Sequence, residues 1–264
     1  METQHILHSK IYGGEKPGMP LLVFHGLFGM LDNWGSFGKE MGELFPVHLI
    51  DLRNHGKSFH SSEMSHDDLA QDILHYMEFH NLSQANLLGH SLGGKAVMQF
   101  ALTYPSKVHQ LIVVDISPKS YPPHHQGILK ALQSVDFNTV TSRQEAEDVL
   151  SHYIPEKSVI QFLTKSLYWT DDKKLAWRFN LDTLAAKYHE FVSNAVKFGV
   201  FNGKTLFIAG AKSQYILPQD EYQIKQQFPN SSIVTVKNAG HWVQAENPKD
   251  FSEAVRNFLS EDEA

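Results

Sequence analysis

The sequence predicts an α/β fold, a mostly parallel central sheet flanked by helices. Three observations lead there. Short apolar runs recur along the chain, and each is followed by turn residues and then by a helical pattern, the form that strands joined by crossover helices take in sequence. Most of these runs are continuously apolar rather than alternating, as strands covered on both faces must be. The chain has 264 residues and no cysteine, so it is long enough to bury a substantial core and must do so without disulfides.

Taken in order, ILHSKIYG alternates weakly and suits an antiparallel edge strand. The strands expected next are MPLLVFHG (19–26), VHLIDL (47–52), ANLLGH (85–90), LIVVDIS (111–117), TLFIAG (205–210) and SIVTVKN (232–238). Helical spacing falls at roughly 67–80, 93–104, 218–227 and 248–259, the second stopping before Tyr104-Pro105, where proline disfavours continuation. From 118 to 200 the strand signals vanish and helical spacing rich in aromatics takes over, with Tyr153, Phe162, Tyr168, Trp169, Trp177, Phe179 and Phe191. The expected division is a core of residues 1–117 and 201–264 and a helical subdomain of residues 118–200, inserted after the strand that ends at Asp115. Such an insertion either packs a core of its own or serves as a lid whose apolar underside faces a site at the strand ends.

Composition excludes several classes of function. The 23 basic and 29 acidic residues give a net charge of −6 without a block of either sign, so nucleic acid is not an expected partner. The opening METQHILHSK lacks the basic and apolar regions of a secretory signal, and no stretch has the length of a membrane span. A cytoplasmic protein without a membrane partner is expected. The 16 histidines are scattered, with no HExxH and no carboxylate-rich cluster, so neither a metal nor another cofactor is expected. Oligomeric state leaves no readable signal.

Chemistry concentrates at Gly89-His90-Ser91-Leu92-Gly93, a GxSxG between an apolar strand and a helix. A sharp strand-to-helix turn tolerates only small flanking residues and pushes the Ser91 side chain out above the sheet. The alternative, a phosphate-binding glycine loop, needs GxGxxG near the first strand and an acidic residue about 20 positions on. Neither GHSLGG nor HGLFG supplies that pattern. His241, in a glycine-containing loop after the last strand, follows the serine in the order expected of a general base. Phe24-His25-Gly26-Leu27-Phe28-Gly29 follows the first strong strand, where a backbone N–H of Leu27, or less readily Phe28, joins that of Leu92 as an oxyanion hole.

Together, HGLFG, DLRNHGKS, GHSLGG and GHWVQAENP resemble the α/β-hydrolase superfamily across nearly the whole chain. HGLFGMLDNW, GHSLGGKAV, VVDISP and WRFNLD resemble, more narrowly, its YbfF-like esterases, which implies hydrolysis of carboxylic esters and acceptance of acyl thioesters such as acyl-CoA. Most members of the superfamily carry the triad acid in a GxxD pattern after the strand before the last; here that place reads Gly210-Ala211-Lys212-Ser213. Asp115 ends a neighbouring strand and matches the acid position of the YbfF-like group, with Asp182 and Asp220 as the alternatives.

The expected activity is therefore that of a serine carboxylesterase acting through an acyl-enzyme on small to medium acyl esters, with Ser91, Asp115 and His241 as triad. An acyl-CoA thioesterase on the same triad is the nearest alternative, and a non-catalytic ligand-binding protein of the same fold a further one. Phe28, Trp34, Trp169 and Trp242 are expected to line the substrate site, with Asn33 near its entrance. Asp51 and Arg53 read as a structural ion pair, and Lys95 as pointing away from the ester into local contacts.

Overall fold

In the computed structural model, which describes residues 5–260, the apolar runs form the strands expected of them. Residues 1–4, the head of the segment read for a secretory signal, and 261–264 lie outside the described residues. The strands are β1 (Ser9–Tyr12), β2 (Leu21–Phe24), β3 (Val47–Ile50), β4 (Ala85–His90), β5 (Val108–Val114), β6 (Leu167–Trp169), β7 (Leu175–Trp177), β8 (Lys204–Gly210) and β9 (Ser231–Val236). Seven make one sheet in the order β1-β3-β2-β4-β5-β8-β9. β1 pairs antiparallel with β3 at the edge, as its weak alternation implies, and the other pairings are parallel. In register, Val23 lies opposite both Leu49 and Leu88, and Val113 opposite Gly89 and Phe207.

The crossover helices are α1 (Gly35–Met41), α2 (His66–Phe79) and α3 (Leu92–Thr103). Ser65 caps α2 by accepting the Asp68 N–H, which places its start one residue before the apolar spacing suggests. Between β5 and β8 the chain forms α4 (Gln126–Gln133), α5 (Arg143–Ser151), α6 (Lys157–Thr164) and α7 (Leu181–Ala186). It then closes with α8 (Glu221–Gln227), α9 (Val243–Glu246) and α10 (Pro248–Ser260). Residues 218–220, expected as the start of a helix, form a 3-10 turn that leads into α8.

Because successive strand residues point to opposite faces, the sheet divides the apolar side chains into two clusters. Leu21, Val23, Leu88, Ile112 and Leu206 face Trp34, Phe37, Phe251 and Phe258. Leu22, Phe24, Leu87, Val113 and Phe207 face α2 and α3, and the same cluster continues into Leu132, Leu150, Leu163 and Phe191 of the 118–200 segment. The apolar burial of that segment is thus continuous with that of the sheet. The segment also corrects one expectation: β6 and β7 pair as a short antiparallel hairpin, Tyr168 opposite Ala176, where the sequence shows helical spacing and no strand signal. Among the described residues, no helix is long and apolar enough to cross a membrane.

Candidate active site

The turn from β4 into α3 forces Ser91 to φ 52°, ψ −114°, a conformation that L-residues adopt only when the surroundings impose it. The neighbouring glycines make this turn fit. A Cβ on Gly89 would lie 2.2 Å from the Gly93 carbonyl oxygen, and one on Gly93 would lie 2.4 Å from that of Phe24. The Ser91 N–H donates to the Val114 carbonyl at 3.0 Å, tying the turn to the end of β5.

One residue past β5, Asp115 also has positive φ, 50°, and its side chain is fully buried. Its carboxylate accepts three hydrogen bonds: from Gly210 N–H at 3.0 Å, from the Ser213 hydroxyl at 2.5 Å and from His241 Nδ1 at 2.8 Å. Burial pushes Asp115 up to about 6, against the lowering pull of the Ser213 and Gly210 bonds, so it is ionised at neutral pH. Ser213, at the place where most of the superfamily carries the acid, donates its hydroxyl to the Asp115 carboxylate instead.

Several contacts fix His241. With Nδ1 on Asp115, its Nε2 is left toward the cavity that Ser91 also lines. The Tyr215 ring stacks on it, centroids 3.9 Å apart and 18° between planes. His90 Nε2 donates to the His241 carbonyl at 2.8 Å. Burial, reinforced by nearby His124, pushes the imidazole well below its ordinary value, so at neutral pH the ring is unprotonated and able to act as a base. Among the described residues, neither Ser91 Oγ nor His241 Nε2 has a hydrogen-bond partner, which leaves both facing the space a substrate would occupy.

Two buried histidines hold the loop after β2. His55 Nε2 accepts the Phe28 N–H at 3.2 Å, and His25 Nε2 accepts the Leu52 N–H at 3.1 Å. A ring nitrogen that accepts must be unprotonated, and burial pushes His25 to about 4 and His55 to about 3. Phe28, at φ 61°, therefore has its amide committed, which removes the second oxyanion candidate. The Leu27 N–H makes no hydrogen bond among the described residues, and Leu92 opens α3, where an N–H has no intrahelical acceptor. Beyond the histidines in HGLFG and DLRNHGKS these supports leave no sequence signal, because their partners are backbone N–H groups of the neighbouring strand-end loop.

The cavity beside Ser91 and His241 has a volume of about 180 Å³, and Phe28, Asn33, Trp34 and Trp242 are among its lining residues. It does not take in Trp169, which sits on β6 with 60% of its surface exposed; the expectation that this residue lines the site is corrected by the outward face of the hairpin. Lys95 is also corrected in part. Its local contacts exist, Nζ donating to the carbonyls of Lys119 and Asn194, but the 1% exposed side chain lines a second, smaller cavity at Ser91. Asp51 and Arg53 do not pair. Asp51 accepts the Leu31 and Lys57 N–H groups, bracing the loop, while Arg53 bonds Asp72 at 2.6 and 2.8 Å. Of the alternative acids, Asp182 is exposed in the first turn of α7, and Asp220 is engaged by Lys119 at 2.6 Å.

Comparison with known proteins finds relatives with this fold. The profile of the alpha/beta hydrolase fold matches residues 19–146. Esterase YbfF of Escherichia coli is 33% identical over 92% of this chain and 93% of its own length. The sn-1-specific diacylglycerol lipase ABHD11 of Mus musculus is 37% identical over 92% of this chain and 81% of its own. The solved structure of a marine microorganism esterase is 35% identical and superposes with a TM-score of 0.93, covering 97% of this chain and all of that one, 100%.

Proposed function

The chain belongs to the α/β-hydrolase fold family, and from that premise we propose that this carboxylesterase cleaves its esters through an acyl-enzyme on Ser91. The observation that carries the reading is the 2.8 Å bond from His241 Nδ1 to Asp115, with the other ring nitrogen open to the cavity that Ser91 lines. In this reading His241 Nε2 takes the Ser91 proton as Oγ attacks the ester carbonyl, and Asp115 stabilises the imidazolium that forms. The developing oxyanion is held by the N–H groups of Leu27 and Leu92, each such donor being worth about 2.7–4 kcal/mol in the transition state. His241 then protonates the leaving alkoxide, and water, deprotonated by the same ring, releases the acid from Ser91.

The segment 118–200 serves as a lid subdomain on a core of 1–117 and 201–264, a reading supported by Ile128, Val159, Phe162 and Leu163 lining the cavity opposite the catalytic loops. Those four lid residues are apolar and suit the apolar part of an ester, and an acyl-CoA thioester remains the second reading. Labelling with a fluorophosphonate tests the nucleophile. The wild type is expected to take up one probe per chain and Ser91→Ala none; equal labelling of the two proteins rejects the assignment.

A further inference from the structure

Two cavities open from Ser91, and they differ greatly in size. The larger, about 180 Å³, passes His241 and Trp242 and extends to Val159 and Phe162. The smaller, about 20 Å³, lies on the side of Leu92 and is lined by Lys95, Tyr121, Phe191 and Val192 among others. His241 lines the larger cavity and not the smaller.

That asymmetry decides which half of an ester goes where. The base must deliver its proton to the leaving oxygen, so the alcohol portion has to lie on the side of His241. The acyl portion then points into the smaller branch. A cavity of about 10–15 Å³ holds one water, so this branch accommodates little more than a methyl group beyond the carbonyl. Its far wall does not yield easily. Lys95 Nζ is tethered to the carbonyls of Lys119 and Asn194, and Phe191 is fully buried with its own carbonyl bonded by His66. A longer acyl chain would have to break those bonds, or press apolar carbon against a polar amino group and overpack the wall.

We infer that the enzyme is selective for acetyl-sized acyl groups carried on larger apolar alcohols, with the wall at Lys95, Phe191 and Val192 as the determinant. The inference rests on the reading of Ser91 as nucleophile and His241 as base. Water supplies the hydroxyl of the released acetate, and the alcohol leaves with the proton from His241, so no other reactant is needed.

Hexyl acetate and ethyl hexanoate test it directly, because they are isomers that exchange the sizes of the two halves. The expected kcat/KM is about 100-fold higher for hexyl acetate, the range one or more badly placed methylenes produce. Equal rates, or a preference for ethyl hexanoate, overturn the inference. A second arm uses Val192→Ala, which shortens the wall and is expected to raise the rate on hexyl butanoate relative to hexyl acetate by about tenfold; an unchanged ratio in the folded variant also counts against it. Fluorophosphonate labelling separates the two failures. If Ser91 labels but hexyl acetate is not the preferred isomer, the assignment of branches is wrong and the hydrolase reading stands; if Ser91 does not label and neither ester is cleaved, both fall.

Discussion

Asp115→Asn is expected to lower kcat on an acetate ester by about 10⁴-fold, the scale on which a triad histidine loses activity when its tautomer is wrong. The reason lies in the donors around the carboxylate. The oxygen Oδ2 accepts both from His241 Nδ1 and from the Ser213 hydroxyl, while Oδ1 accepts from Gly210 N–H. An asparagine that keeps its oxygen on Gly210 turns its NH₂ toward His241 and demands that Nδ1 accept, which moves the ring proton to Nε2 and disables the base. Asp182→Asn and Asp220→Asn are expected to keep kcat within a few-fold, because one is exposed and the other is occupied by Lys119. Removing only the third partner gives a graded result. Since the Ser213 bond lowers Asp115, Ser213→Ala lets its pKa rise further, and the acid limb of the kcat/KM profile moves to higher pH. A kcat for Asp220→Asn below that of Asp115→Asn would reject the placement of the acid.

Mild acid is expected to unfold the protein. His25, His48, His55, His66 and His90 are each less than a tenth exposed, and burial first of all pushes their pKa values down from 6.5 to about 4, 4, 3, 4 and 3. When the folded pKa lies below the unfolded one, the unfolded chain binds more protons in the interval between them. The stability these rings allow is therefore complete above pH 6.5 and is lost as pH falls toward 4. By pH 5 each ring costs about 2 kcal/mol, and five cost about 10 kcal/mol, comparable to the whole stability of an ordinary domain. Asp115 acts in the opposite sense, since its raised value of about 6 lets the folded state bind a proton first, but one carboxyl offsets only a fraction. Thermal melts between pH 7.5 and pH 5 check this: Tm should fall steeply, with several protons taken up on unfolding, whereas a flat Tm would mean that these histidines are accommodated in charged form.

The parallel sheet was legible because most of its strands are built on a continuous apolar run, a local property. The turn that carries Ser91 and the loop that carries His241 were legible for the related reason that a strand-to-helix turn and a strand-end loop announce themselves in a few residues. Asp115 required more: its place at the end of LIVVDIS and the resemblance around VDISP indicated it, and its partners Gly210 and Ser213 lie 95 and 98 positions away. What the sequence concealed is uniformly non-local or too short to show a period. β6 and β7 have three residues each, α1 begins on a glycine and carries another, and the partner of Arg53 is an aspartate on the far side of a loop. Trp169 looked like a pocket residue among other aromatics, but which side of a two-stranded hairpin faces solvent depends on what packs beneath it. The two branches at Ser91 are hidden for the same reason, as their walls come from α3, the residue after Asp115, the 118–200 segment and Tyr215 together.

The proposed reaction passes through a covalent acyl group on Ser91, formed with the Asp115–His241 pair as base. The most direct measurement is the mass of the protein, rapidly acid-quenched during turnover of p-nitrophenyl acetate and then digested. The expected result is a single acetyl group per chain, located on the peptide that contains Ser91 and absent from Ser91→Ala. An acetyl group on another residue in its place, or hydrolysis by Ser91→Ala as fast as by the wild type, would rule out a covalent intermediate on Ser91.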